Sequence, residues 1–240
     1  MKGFTVQNGI ELRIEVEGEH WVQGSRVKMQ LQTKREAHLF LGLAVGSEKK
    51  IKARTEDAFQ IVESIDSTGL NLSKEFQLPI DARITDKSGS LYAVYGIGTP
   101  PATLASLRLH INPHPIIQDL VEVLTHHYRF TAKSSAMGKK QEVEIKLEPP
   151  GAKEWASLES LDLLARLDES RLHLKFLFRR REINAMKTAL TAQTVKRTME
   201  KAFDLSNIIH DFNRRLNKER MILGMEALIE EYRSQNGILG

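Results

Sequence analysis

The side chains best equipped for chemistry are histidines, and their positions do not converge. His110 and His114 are four residues apart, a spacing that faces one way only on a helix. Pro113 and Pro115 deny that stretch a helix. His126 and His127 are adjacent and diverge on a regular element, and no His-Glu-x-x-His occurs. Gly96-Ile97-Gly98 closes a strand pattern, as a dinucleotide loop would. Thr99-Pro100-Pro101 then follows where a helix should open with free N–H groups, so the segment reads as a turn. Ser47-Glu48-Lys49-Lys50 has the order of a serine nucleophile and its lysine base. That chemistry needs the serine at a helix start with a desolvated lysine one turn on. Here the segment reads as a charged hairpin loop between two strands. Glu142 and Glu144 share a solvent face, and Asp162 and Asp168 are paired in sequence alone. There are 0 cysteines, which excludes disulfides, zinc–thiolate sites and cysteine nucleophiles. No catalytic residue, metal ligand or cofactor is expected, and the chain reads as non-enzymatic.

Binding is better supported. The one local concentration of charge is Arg171, Lys175, Arg179, Arg180 and Arg181. Arg171, Lys175 and Arg179 share strand parity with His173, so they line one face of one strand. Such a stripe suits phosphates, an acidic partner helix or anionic lipid. Phe176 and Phe178 point the other way, so the face lacks a stacking platform for single-stranded nucleic acid.

These residues need a scaffold, and the patterning describes one. At 240 residues the chain is long enough for one large domain or two small ones. The net charge of +4 is small, so the distribution of charge matters more than its sum. Met1 to Gly9 holds no apolar run of signal-peptide length, and no stretch approaches a membrane span, so a cytoplasmic protein is expected. Ile10, Leu12, Ile14 and Val16 alternate with charged residues, and Val27, Met29 and Leu31 do the same. Leu39–Val45 is apolar on both faces and reads as a central strand. Shorter strands are expected at Ile51–Arg54, Phe59–Val62, Lys74–Leu78, Ser90–Ile97 and Leu107–Ile111. Turn clusters such as Asp66-Ser67-Thr68-Gly69 separate them. This spacing predicts an antiparallel β-sandwich over residues 1–112.

Pro113 and Pro115 mark a boundary. Ile116, Ile117, Leu120, Val121, Leu124 and Tyr128 then follow a helical period over 115–128. Strand patterning resumes at Val143–Leu147, and Leu161–Leu167 with Leu172–Phe178 reads as a hairpin. Residues 113–181 are thus a small α+β domain, one helix on an antiparallel sheet. From 182 to 240 apolar residues recur at three and four: Ile183, Met186, Leu190, Val195, Met199 and Phe203, then Ile208, Ile209, Phe212 and Leu216. This predicts a helical C-terminal extension. Ile208, Ile209, Phe212 and Leu216 would be its docking face for a protein partner or a second copy in a homo-oligomer.

Glu75-Phe76-Gln77-Leu78-Pro79-Ile80-Asp81-Ala82-Arg83-Ile84-Thr85 resembles the "F-x-L-P-x-D-x-P-I-T" stretch of the sporulation-control protein M family. The resemblance takes in the early hairpin at 10–31, the strand Ser90–Ile97 and the exit through His110–Pro115 into an apolar helix. It also takes in the hairpin at 161–178, and leaves 182–240 unexplained. It implies an arrestin-like sandwich in a bacterial regulator that acts through protein contacts, with no catalysis, no cofactor and no site residues to carry over. The expectation is therefore a mainly β, arrestin-like regulatory adaptor or scaffold of unidentified partner. The alternative is a peripheral binder of anionic lipid or nucleic acid through the basic strand face.

Overall fold

In the computed structural model, the described residues are 1–53, 55–98, 103–152, 155–186 and 189–234. The chain divides into two compact units, Met1–Pro113 and His114–Gly240.

The first unit is built on two long strands. β1 (Lys2–Gln7) and β2 (Ile10–Val16) form a hairpin, followed by the short β3 (His20–Val22). β4 runs unbroken over Arg26–Ser47, so the two strands expected at 27–31 and 39–45 are one. β5 (Phe59–Gln77) lies antiparallel to β4 along both of its halves, with the register slipping between Gln32 and Ala37. On its other side β4 pairs first with β2, then with β6 (Gly89–Ile97), which pairs with β7 (Ala105–Arg108). The short β8 (His110–Asn112) runs parallel to β3.

The β4–β5 ribbon is folded over. Glu63 and Lys74, eleven residues apart on one strand, form an ion pair at 2.5 Å. The two halves of β4 consequently line one core. Leu12, Ile14, Val16, Met29 and Leu31 from one layer cluster with Leu39, Leu41, Leu43, Leu91, Ala93 and Tyr95 from the other. Burying each leucine stabilises the sandwich by roughly 1.5–3 kcal/mol. Asp66-Ser67-Thr68-Gly69 is therefore no chain reversal. It lies within β5 next to the bend, where a polar strand edge meets solvent.

Residues 51–53 also differ from expectation. Glu48–Ala53 is a helix, α1, with an acidic start and basic end that suit the helix dipole; Arg54 lies outside the described residues. Ile51 packs on the outer face of the β4–β6 sheet against Phe40, Ala44, Tyr92 and Val94. Four residues carry too little periodicity to tell a strand from one helical turn.

The quoted motif locks the end of β5 to the rest of the unit. Phe76, Leu78 and Ile84 are buried. The Pro79 carbonyl accepts from the Gly24 and Ala82 N–H groups. The buried Gln23 side chain donates to the Ala82 carbonyl at 2.6 Å. The Thr85 hydroxyl bonds the Leu109 carbonyl and accepts from the Ile111 N–H.

The second unit opens with α2 (Pro115–Glu122). Proline stands in its first turn, and His114 Nδ1 caps it by accepting from the Ile116 N–H. One π turn (Val123–His127) ends it. A five-stranded antiparallel sheet follows in the order β13-β12-β11-β10-β9. Its strands are β9 (Thr131–Met137), β10 (Val143–Glu148), β11 (Leu158–Leu167), β12 (Arg171–Met186) and β13 (Ala189–Asp204). Two helices come last, α3 (Leu205–Ile208) and α4 (Lys218–Ser234).

The helical extension expected from residue 182 is thus corrected. β12 continues to Met186, and 189–204 is its antiparallel partner over sixteen residues. The physical reason is parity. Val195, Met199 and Phe203 are four apart, and an even spacing keeps residues on one face of a strand as well as of a helix. Thr191, Thr194, Val195 and Thr198 are β-branched and favour the strand.

The expected docking face is corrected too. Ile208, Ile209 and Leu216 are buried in the unit's own core, and Phe212 alone of the four is exposed. A bridge between Ile209 and Leu216 closes the loop that carries Phe212. One ion pair fixes this segment. Asp119 of α2, with 3% of its side chain exposed, faces both Nε and Nη2 of Arg215 and accepts from the Leu216 N–H at 3.2 Å. Burial alone would raise the Asp119 pKa. The Arg215 guanidinium and the Leu216 N–H outweigh it and hold the carboxyl below its ordinary 3.8.

Two predictions follow from this packing. A depressed carboxyl contributes stability above its unfolded pKa and loses it as pH falls through the folded one. Wild-type protein should therefore keep the Asp119 contribution above about pH 4 and lose it on further acidification. Arg215→Ala should cost about 1–3 kcal/mol at pH 7 by urea unfolding, less than for a fully buried pair because half of the Arg215 side chain is exposed. Its loss should shrink on acidification, as the unpaired buried carboxyl takes up a proton. The second prediction concerns Gly224 in α4, where a Cβ would stand 2.6 Å from the Phe203 ring. Gly224→Ala should destabilise by about 1–2 kcal/mol despite alanine's better helix propensity. Adding Phe203→Leu should recover part of that loss, and a stabilised Gly224→Ala would contradict the packing.

Candidate functional site

The outer face of the second unit's sheet holds the expected basic stripe. The register sets Arg166, His173 and Ala202 in one row, and Leu164, Lys175 and Glu200 in the next. Asp162, Leu177 and Thr198 form a third row, and Ser160, Arg179 and Lys196 a fourth. The opposite parity buries Leu172, Leu174, Phe176 and Phe178. Alternation along β12 therefore builds the core with one set of residues and this face with the other.

Each cation of the stripe meets an acid. Arg171 Nε donates to Asp204 at 2.9 Å, and Lys175 Nζ to Glu200 at 2.6 Å. Arg179 Nη2 donates to the buried Asp162 at 2.7 Å, and His173 Nε2 meets Asp168 at 2.7 Å. Asp168 sits at the β11–β12 turn. The Ser170 N–H first, then His173 and the Arg171 N–H, hold its carboxyl far below the usual range. Arg180 lies on the other parity and donates to the Ser157 hydroxyl at 3.1 Å. Arg181 is exposed and shares the parity of Arg179, and its N–H bonds the Ser157 carbonyl at 2.9 Å. Four of the five thus share one face, and Arg180 lies on the other. Arg171, Lys175 and Arg179 are matched by acids from β11 and β13 that sequence proximity does not reveal. A hollow of about 560 Å³ lies on this face, lined by Lys140, Glu142, Leu164, Arg166, Lys175 and Glu200 among others. Its walls carry both signs of charge, which suits neither a strong anion site nor a cation site.

The other chemical candidates do not assemble. His110 packs against His20 at 5.6 Å between ring centroids, His114 caps α2, and His126 and His127 lie in the π turn. Among the described residues no three His, Asp or Glu side chains are grouped to hold a metal ion. Lys50 forms an ion pair with Asp57, so it is not a free base beside Ser47. Tyr92 donates to Glu48 at 2.6 Å, which ties α1 to the sheet. Burial and the Glu48 carboxylate push that phenol well above its usual range. Gly98 closes β6 in a left-handed conformation, and Thr99, Pro100 and Pro101 lie outside the described residues.

Sequence reasoning missed an open strand edge of the first unit. β5 pairs with β4 and, among the described residues, with no other strand, so its second edge is open along its length. Ile61, Val62 and Leu70 on that strand are 40%, 46% and 48% exposed, where β5's inward residues Leu72 and Phe76 are buried. The strand expected at Phe59–Val62 was its visible part, and the turn-like polar residues at Asp66–Gly69 hid the continuation to Gln77.

No helix among the described residues is long and apolar enough to cross a membrane. No family model matches the chain, and no curated protein does. The crystal structure of Spo0M, a sporulation control protein from Bacillus subtilis, matches this fold with a TM-score of 0.60 at 15% sequence identity. The match covers 92% of this chain and 98% of that one. The chain therefore has the same mainly β, arrestin-like fold.

Proposed function

We propose that this chain is a non-enzymatic regulatory adaptor acting through protein–protein contacts, with β5 as its recognition edge. The observation that carries the reading is the open β5 edge bearing exposed Ile61 and Val62. An extended peptide gains main-chain hydrogen bonds by adding to such an edge, and alternate side chains supply selectivity. The fold shared with a sporulation control protein supports a regulatory role, because that is the part the neighbour's name assigns to it.

A photocrosslinking residue at Val62 should capture a discrete protein in cells. Ile61→Lys with Val62→Lys should lower that partner's capture about tenfold, because a charged edge discourages pairing. Crosslinks that are diffuse, or unchanged in a lysine variant with native circular dichroism, would remove β5 from the reading.

The electrostatic alternative draws less support, because Arg171, Lys175 and Arg179 are already matched by Asp204, Glu200 and Asp162. Wild-type protein should pass through heparin and anionic vesicles at physiological salt. Glu200→Gln with Asp204→Asn should gain salt-sensitive retention. Strong wild-type retention would restore the alternative.

A further inference from the structure

The sheet of the second unit ends on a strand that matches itself. β13 is the terminal strand, paired with β12 on one side. Its outward peptide groups are unpartnered by any strand among the described residues. Lys196, Thr198, Glu200 and Ala202 are exposed along its outer face. A strand of sixteen residues with an open edge is a template for another strand unless its charges forbid it.

We propose that two copies of this chain pair their β13 strands antiparallel about a two-fold axis at Thr198, joining two five-stranded sheets into one. The argument is one of register and charge. A two-fold axis normal to the sheet keeps outer face with outer face, so each residue meets one of its own parity and the axis passes through a residue. Centred on Thr198, Lys196 of each copy faces Glu200 of the other, so the opposite-charge pair forms twice. Thr198 faces its own mate, Arg197 faces Met199, and Lys201 faces Val195. Opposite charges and Thr–Thr pairs are favourable cross-strand neighbours.

The neighbouring registers fail. Centres at Lys196, Arg197, Glu200 and Lys201 set a charge against its own copy. A centre at Met199 sets Arg197 against Lys201, and one at Ala202 sets Glu200 against Asp204. A centre at Val195 pairs no opposite charges. Of these registers, the one centred on Thr198 alone sets opposite charges together without setting like charges together. Glu200 already receives Lys175 of its own β12 at 2.6 Å, so the partner's Lys196 would complete a cation–carboxylate–cation row. The C-terminal helices, whose Leu205, Ile208, Met221, Met225 and Leu228 are buried in the unit's own core, take no part.

The test uses the full chain in analytical ultracentrifugation over a wide concentration range. Wild-type protein should show a reversible dimer that weakens with salt. Lys196→Glu, which sets Glu against Glu200 at both ends, should raise the dimer Kd about tenfold or more. Lys196→Glu combined with Glu200→Lys should bring it back close to the wild-type value. Because the chain has no cysteine, Thr198→Cys gives a second readout that needs no charge variant to fold. With oxidised glutathione it should form a disulfide-linked dimer. Ala202→Cys should not, since the two copies of residue 202 would stand about 27 Å apart along the strands. A chain that stays monomeric throughout overturns the proposal. So does a dimer indifferent to Lys196→Glu, or one that crosslinks as well through residue 202 as through residue 198.

Discussion

A carboxylate removed from water must be matched, and in the second unit that requirement organises the C-terminal third of the chain. Asp119 is buried on α2, and its match, Arg215, lies 96 residues later. Meeting it brings the Leu216 N–H to the same carboxylate and closes the loop from Ile209. α4 then starts beside α2, where Lys218 reaches Glu122 at 2.6 Å. Ile208, Ile209, Leu216, Met221 and Met225 are buried around this segment. An unmatched Asp119 would cost about 1–3 kcal/mol, a sizeable part of the roughly 5–15 kcal/mol that separates folded from unfolded domains.

The first unit reaches the same end with backbone geometry. One long ribbon, β4 with β5, folds over so that a single pair of strands contributes to both layers of the sandwich. The register slip at Gln32–Ala37 gives the bend its place, and the Glu63–Lys74 pair closes its open side. β5 stays on the outside of β4 through both halves, so folding the ribbon leaves an uncovered edge.

Side-chain electrostatics and backbone hydrogen bonding are used differently across the molecule. On the second unit's outer sheet face, strand order sets acids beside the basic residues of β12, and the long-range field of the stripe cancels. The unspent resource is the peptide backbone, at the open edges of β5 and β13. In the proposed readings, residues there would select a partner by register and charge at short range, since surface pairs are screened within about 10 Å. Recognition by such edges needs no metal, cofactor or deep cavity.

Local alternation was legible in the residues alone. The strands at 10–16, 90–97, 143–147 and 161–178, the helix after Pro115 and the basic parity of Arg171, Lys175 and Arg179 follow from periods of two and 3.6. The motif at 75–85, with its buried Phe76, Leu78 and Ile84, pointed to the arrestin-like fold through family likeness. Ambiguity entered wherever one pattern satisfies two structures. Residues four apart at Val195, Met199 and Phe203 share a face on a helix and on a strand, and pairing with β12 decided for the strand. Asp66–Gly69 has the composition of a turn, and its pairing with β4 made it an exposed stretch of strand beside the bend. The partners of the basic stripe, Asp204, Glu200 and Asp162, lie 17 to 33 residues away in sequence. Local pattern states which way a side chain points, because it depends on the backbone period. What that side chain meets depends on strand order and register, which only the folded chain determines.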